Sequence, residues 1–222
     1  MNFNLIRELV VYSELFSAII GTLYLFKYKH TALKYFLLLL WYITLTEFFG
    51  GYMVKSKFLV YIDENGLIYN LWLHNIRRFI TFLVLYYIYY RLLKTETYKK
   101  WVKIFAILFA IIYILNYIFL QDFIKEIPEI PHVLGSIFLI ISILFYFIEL
   151  LKSEKILVFH RLLLFWISVG LILFYAGTIP FMLKWNGYML IPGVHDLFLI
   201  VYILAITMYL IFSFGFIWCK KE

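Results

Sequence analysis

Residues 104–121 read IFAILFAIIYILNYIFLQ, eighteen positions without an acid, a base or a histidine. As a helix the run is ~27 Å long, close to the ~30 Å hydrocarbon core of a bilayer. A membrane strand alternates polar with apolar residues and runs only ~10 positions. This stretch is apolar on every side, so it reads as a helix made for lipid. Three more charge-free runs obey the same logic: 130–148, 162–183 and 197–219. Working outward to the apolar stretches between and before them yields seven spans, 8–27, 33–54, 67–92, 101–121, 131–152, 159–184 and 192–218. The expected fold class is all-α, a polytopic membrane protein with residues 1–222 forming a single seven-helix transmembrane domain.

Composition excludes the alternatives. The 222 residues are 65% hydrophobic and 15% charged, whereas soluble domains carry about 25% charged residues. Too few polar side chains remain to cover a water-exposed surface, so a soluble enzyme, a disordered chain and a nucleic-acid module are all disfavoured. A single cysteine, Cys219, rules out an intrachain disulfide and a cysteine-based metal cluster, and reads as a thiol at the bilayer edge. No soluble domain is expected, because the longest connectors, 55–66 and 122–130, are about a dozen residues or fewer.

The net charge of +7 resembles a nucleic-acid signal only until the positions of the bases are examined. Lys27, Lys29 and Lys34 follow span 1; Arg91, Lys94, Lys99, Lys100 and Lys103 follow span 3. Lys152, Lys155 and Arg161 follow span 5, and Lys220 and Lys221 follow span 7. The opposite side has Arg7, Lys55, Lys57, Lys125 and Lys184. The positive-inside rule then places the N-terminus outside and the C-terminus in the cytoplasm, in the cell's inner membrane. The 3+1+3 order of spans also suggests an internal repeat. An offset of 125 aligns Lys27 with Lys152, Trp41 with Trp166 and Phe49 with Phe174, and an offset of 121 aligns His74-Asn75 with His195-Asp196.

Polar residues inside the spans are expensive in lipid and mark candidate sites. Span 3 carries Asn70, His74, Arg77, Arg78 and Thr81 on one helical face. Span 1 carries Glu14, Ser17 and Gly21 on one face, and span 2 carries Thr44, Glu47 and Gly51. Asn116, Tyr175, Thr178, His195 and Asp196 fall at similar depths toward the outer surface. The inner half holds little beyond Thr207 and Ser213. The candidate ligand-binding set is therefore Glu14, Glu47, His74, Arg77, Arg78, Asn116, Tyr175, Thr178, His195 and Asp196. Glu14 and Glu47 are expected beside Arg77 and Arg78, since isolated charges would each cost ~2.5–3.5 kcal/mol at that depth. An arginine left without a protein carboxylate is the expected recognition group for an anionic or polar ligand. Two readings stay open: the charges only hold spans 1–3 together, or they line a polar cavity open to the outside.

Other features have plainer readings. His132 and His160 are expected at the two water interfaces, and Glu149, beside Lys152 near the cytoplasmic end, in a snorkelling interfacial role. The aromatic abundance reads mainly as lipid-facing packing and interfacial belts. Gly170, Gly177 and Pro180 mark a bend in the outer half of span 6. Span 7 has no lysine for a retinal Schiff base, and no HExxH, GxSxG or paired aspartates suggest a protease. No catalytic residue, metal or cofactor is expected.

The seven-span, N-outside layout with a polar outer half resembles the seven-helix sensor regions that precede or partner bacterial histidine kinases. The phrases Glu14…Gly21-Thr22…Lys27-Tyr28-Lys29 and Glu47-Phe48-Phe49-Gly50-Gly51 resemble those of uncharacterised bacterial seven-helix membrane proteins. The resemblance implies a receptor-like subunit, not an enzyme, whose signal leaves through a separate cytoplasmic protein at the basic connectors. The layout also resembles small sugar transporters with three-plus-one-plus-three helices. Those carry prolines in the first helices of each repeat, and spans 1 and 2 here have none. A transporter or channel for a small solute is the alternative expectation.

Overall fold

The computed structural model describes residues 3–64, 66–183, 185–188 and 199–221. Helix α1 spans Phe3–Leu23 and α2 spans Lys34–Ser56. A two-stranded hairpin follows, β1 Tyr61–Ile62 pairing antiparallel with β2 Ile68–Tyr69. The remaining helices are α3 Leu71–Leu92, α4 Glu96–Phe119, α5 Glu129–Leu151, α6 Leu163–Met182, the single turn α7 Trp185–Tyr188, and α8 Leu199–Trp218. Among the described residues, α2, α4, α5, α6 and α8 are long and apolar enough to cross a membrane. Helices α1 and α3 match them in length, at 21 and 22 residues, but carry the charges Arg7, Glu8 and Glu14, and Arg77, Arg78 and Arg91. The architecture is that of an all-α, multi-pass membrane protein.

The long helices form a closed ring in chain order. Each packs on its sequence neighbours, α6 packs on α8, and α8 closes the ring against α1, while α3 also reaches α5. Helix α4 shows why. Ile107, Ile111, Ile114 and Ile118 form an exposed stripe, while Val102, Phe105, Phe109, Tyr113 and Asn116 form the buried one. One end of the bundle carries β1–β2 and the α4–α5 loop, and is called the hairpin end. The other carries the lysine-rich connectors and is called the basic end.

Several boundaries differ from expectation. Residues 67–70 belong to the hairpin and the α3 cap, not to a span. Asp63 Oδ1 accepts from the Leu67 amide at 2.8 Å, and Gly66 supplies φ +78° in the turn. Residues 154–161 form a separate 3-10 stretch before α6. Helix α1 begins at Phe3, five residues earlier than expected, because Arg7 and Glu8 are helical. Residues 192–198 of the seventh expected span lie outside the described residues.

The basic end is held by two charged caps. Lys27 Nζ donates to the carbonyls of Phe216 (3.3 Å), Ile217 (2.7 Å) and Cys219 (2.9 Å). These belong to the last turn and end of α8, where helical carbonyls have no intrahelical donor. Glu149 lies at the basic end, but its carboxylate is held by backbone amides and does not snorkel freely. Its carboxylate accepts from the amides of Lys94 (3.1 and 3.0 Å) and Thr95 (2.7 Å), the two residues just before α4, close to the positive end of that helix. Cys219 is buried at 3% exposure, not an edge thiol, and its Sγ lies 3.5 Å from the Phe216 carbonyl.

Aromatic residues fill the core as well as the periphery, which corrects the expectation of mainly lipid-facing rings. Tyr28, Phe36, Phe82, Tyr86, Tyr89, Phe109, Phe212 and Phe216 are fully buried, and Phe36 meets Phe212 edge-on at 5.0 Å. The hydroxyls among them are already used. Tyr86 donates to the Gly135 carbonyl at 2.8 Å, Tyr89 and Ser168 share a 2.7 Å bond, and Tyr28 donates to the Gly21 carbonyl. Helix α6 runs unbroken through Pro180 to Met182. Gly170 and Gly177 serve its contact with α8: a Cβ at either would sit 2.7 Å from Phe212 or 2.6 Å from Leu204.

Candidate functional site

The hairpin aligns α2 and α3 so that Glu47 meets the turn of α3 that carries His74 and Arg77. Arg77 Nη2 lies 2.9 Å from Glu47 Oε1, and His74 Nδ1 lies 3.7 Å from the same oxygen. The Arg77 and Glu47 side chains keep only 19% and 21% of their exposure. A second tie holds this register, since Asn70 Nδ2 donates to the Gly50 carbonyl at 3.1 Å. Gly50 is the glycine that permits the approach; a Cβ there would lie 3.1 Å from His74 Nε2. Gly51, the glycine on the stripe with Thr44 and Glu47, has nothing within 4 Å of its Cβ position, because it points about 100° further round the helix.

Glu14 is buried at 2% exposure, and Ser17 one turn later is fully buried. Thr44 and Tyr209 face its carboxylate from α2 and α8, and Arg77 is the cation that acts on it most strongly. Among the described residues it forms no ion pair within 4.0 Å, and its Oε1 has no hydrogen-bond partner. Arg77 Nε is likewise buried and unpartnered. The two acids thus gather on Arg77: one in contact, one acting from further away.

Arg78 turns the other way, as expected for neighbours about 100° apart on a helix. It has no carboxylate within 4.0 Å among the described residues. Its Nη1 donates to Asn75 Oδ1 at 3.0 Å. Asn75, fully buried, uses Nδ2 to hold the carbonyls of Phe123 and Glu126, both at 2.9 Å, and its own carbonyl accepts from the Tyr113 hydroxyl at 2.7 Å. One asparagine therefore fastens α3, α4 and the α4–α5 loop around the arginine.

The surroundings of Arg78 are rich in unmet polar groups. His132, at 6% exposure, is not at a water interface; neither ring nitrogen has a partner among the described residues. Its ring sits edge-on to Phe82 at 5.5 Å and 6.0 Å from Tyr175. The buried Tyr117 hydroxyl faces that of Tyr113, whose ring lies 5.4 Å from its own. Asn116 donates to Gln121 Oε1 at 2.8 Å, while its Oδ1 is buried and unpaired. Tyr175 is buried, and Thr178 donates back to the Tyr175 carbonyl at 3.3 Å. His195 and Asp196 lie outside the described residues.

At the mouth of this region Lys125 of the α4–α5 loop lies 4.9 Å from the centre of the Tyr61 ring. Hydrogen bonding to the Tyr61 hydroxyl, helped by that group's charge, raises the Lys125 ammonium above its ordinary pKa. Asn186 of α7 clasps the same loop, accepting from the Ile127 amide at 3.1 Å and donating to its carbonyl at 3.0 Å.

The structure brings Glu14, Glu47, His74, Arg77, Arg78 and Tyr175 toward one polar interior. Thr44 of the span 2 stripe joins them, and the structure adds Asn75, Tyr113, Tyr117, His132 and Tyr209, which the stripes of spans 1–3 do not single out. Asn75 was readable as the neighbour of His74 three residues before Arg78, but its loop partners lie 48 and 51 positions away. No known protein family, characterised protein or solved structure matches the chain.

Proposed function

We propose that the chain is a receptor-like, non-enzymatic sensor subunit of a bacterial inner membrane. In this reading α1 to α6 and α8 are seven spans, the hairpin end faces outward, and a polar chamber at that end takes a small ligand. The signal leaves through a separate cytoplasmic protein that docks on the basic connectors.

The observation that carries this reading is the contrast between the two halves of the core. The hairpin half holds charged groups and unmet buried donors and acceptors. The basic half is packed with rings and aliphatic chains, and Tyr28, Tyr86, Tyr89 and Ser168 are hydrogen-bonded within the protein. Thr207 and Ser213, the polar residues with which a path could continue, bond at 2.8 and 2.9 Å to carbonyls four residues back in their own helix. A one-sided polar interior suits recognition, whereas transport requires polar groups through both halves. The lysine and arginine asymmetry supports the orientation.

Two experiments test it. In proteoliposomes, labelled sugars, amino acids and organic acids should show no saturable flux above protein-free vesicles; saturable flux of any of them makes the protein a transporter. For orientation, a Glu64→Cys protein in a Cys219→Ser background should react in whole cells with an impermeant thiol reagent, and a Thr97→Cys protein should react only after lysis. Both positions are exposed. The opposite labelling pattern inverts the topology, and equal labelling means the number of crossings between them is even.

A further inference from the structure

We propose that the cavity at the basic end, between α5, α6 and the α3–α4 and α5–α6 connectors, binds the phosphodiester of an anionic phospholipid, with Lys94 and Lys155 as its cationic rim. The site lies at the opposite end from the hairpin-end chamber, and stands whether or not that chamber takes a ligand.

The cavity measures about 120 Å³, several times the ~30 Å³ that one water takes in the liquid and room enough for a phosphate group. Its polar lining is Lys94, Glu149, Ser153 and Lys155. Both lysines are exposed, and among the described residues neither ammonium has a carboxylate within 4.0 Å. The Glu149 carboxylate is occupied by the amides of Lys94 and Thr95. The Ser153 hydroxyl gives its proton to the Leu150 carbonyl at 2.9 Å, so the donors open to a ligand are the two ammonium groups. Two ammonium groups against one carboxylate leave a single positive charge. A phosphodiester carries the one negative charge that balances it, whereas inorganic phosphate at neutral pH carries more.

The surroundings of the rim point to a lipid as the source of that phosphate. Leu150, Leu162 and Leu164 form an apolar wall of the same cavity, and Leu150 and Leu164 are buried at 5% and 6% exposure. The lining thus passes from charged to apolar, as a lipid does from headgroup to chain. The stretch that supplies Lys155 exposes Leu157 at 81% and Val158 at 42%, close to Leu151 at 68%. Apolar side chains so bare belong in the bilayer interface, where a lysine stem lies along the apolar layer and its head reaches the phosphates. Basic pockets between membrane helices hold anionic headgroups in this way. A zwitterionic lipid would bring its own ammonium to the lysines, and a free anion would leave the leucine wall unused.

The test is thermal unfolding of the full chain in nonionic detergent micelles at physiological salt. The probes are dioleoylphosphatidylglycerol, dioleoylphosphatidylcholine, sodium phosphate and glycerophosphoglycerol, the last being the anionic headgroup without its chains. Phosphatidylglycerol should raise the unfolding temperature by several degrees in a saturable manner, and the other three should not. The double variant Lys94→Ala, Lys155→Ala should raise the half-saturating lipid fraction about tenfold, through loss of two interfacial cations. The double variant Lys100→Ala, Lys152→Ala removes the same charge at the same end, away from the cavity lining. It should stay within about twofold of the wild type, because exposed charges off the site are screened by salt. All four lysines are exposed, so both variants keep the fold. Equal losses in the two double variants overturn the cavity in favour of diffuse attraction to the surface. Equal shifts with the two lipids overturn the anionic headgroup. A shift with sodium phosphate or glycerophosphoglycerol that matches the lipid overturns the lipid as the source and leaves a site for free anions. No shift with phosphatidylglycerol overturns the proposal outright.

Discussion

A Glu47→Gln protein is expected to lose about 3–5 kcal/mol of stability, the scale for removing one partner of a buried ion pair. The loss arises less from the missing bond than from what remains. Arg77 keeps its charge and its buried, unpartnered Nε, and the contact at 2.9 Å that balanced it is gone. Glu14 acts on the same guanidinium without touching it, so Glu14→Gln should cost distinctly less. The double variant Glu47→Leu, Arg77→Met removes both desolvation penalties with the pair and should recover most of the loss. Denaturant unfolding in mixed micelles measures all four proteins. A Glu47→Gln protein as stable as the wild type would show that water, not the carboxylate, compensates Arg77.

Asn75→Leu should be nearly as damaging, by roughly 3 kcal/mol or more, since each buried polar group left unpaired costs ≈ 1–3 kcal/mol. Leucine keeps the branching and heavy-atom count of the side chain but is bulkier, so strain adds to the lost hydrogen bonds. The carbonyls of Phe123 and Glu126 lose their 2.9 Å donor, and Arg78 loses its 3.0 Å acceptor. Hydrogen exchange should show the α4–α5 loop losing protection before α3 does, because the loop is what the side chain holds. Uniform loss of protection throughout the bundle would mean that Asn75 supports the whole fold and not this joint.

The contrast between Glu47 and Asn75 shows what could be read from the chain. Long charge-free runs announce α4, α5, α6 and α8 without any knowledge of neighbours, because lipid imposes its condition on each helix separately. The Glu47–Arg77 contact was legible for a related reason. Charges in lipid must find each other, and spans 2 and 3 are adjacent in sequence with their polar residues on single faces. Asn75, His132 and Glu149 were not legible, since what each does depends on a partner brought by tertiary packing. His132 looked interfacial because it stands near a helix start, yet Phe82 and Tyr175 cover it. Glu149 looked like a snorkelling interfacial acid, yet backbone amides just before a helix, 54 and 55 positions earlier, take its oxygens. The hairpin escaped for the opposite reason. Two paired residues on each strand are too few for an alternating pattern to register.

The closure of the ring by α8 has a consequence for how the protein is made. The ribosome delivers α8 after the six other long helices, yet α8 must lie between α6 and α1, the first of them. Until it arrives, the nascent bundle is an open crescent. The α1 face with the buried Glu14 lacks its Tyr209 cover, Gly170 and Gly177 of α6 lack Phe212 and Leu204, and the Lys27 ammonium has no α8 carbonyls to bind. Arrival of α8 satisfies all three together, so the seam shuts as one event. A chain stalled before that point exposes a carboxylate and a bare glycine groove to lipid, the kind of defect that membrane quality control can tell apart from a finished protein.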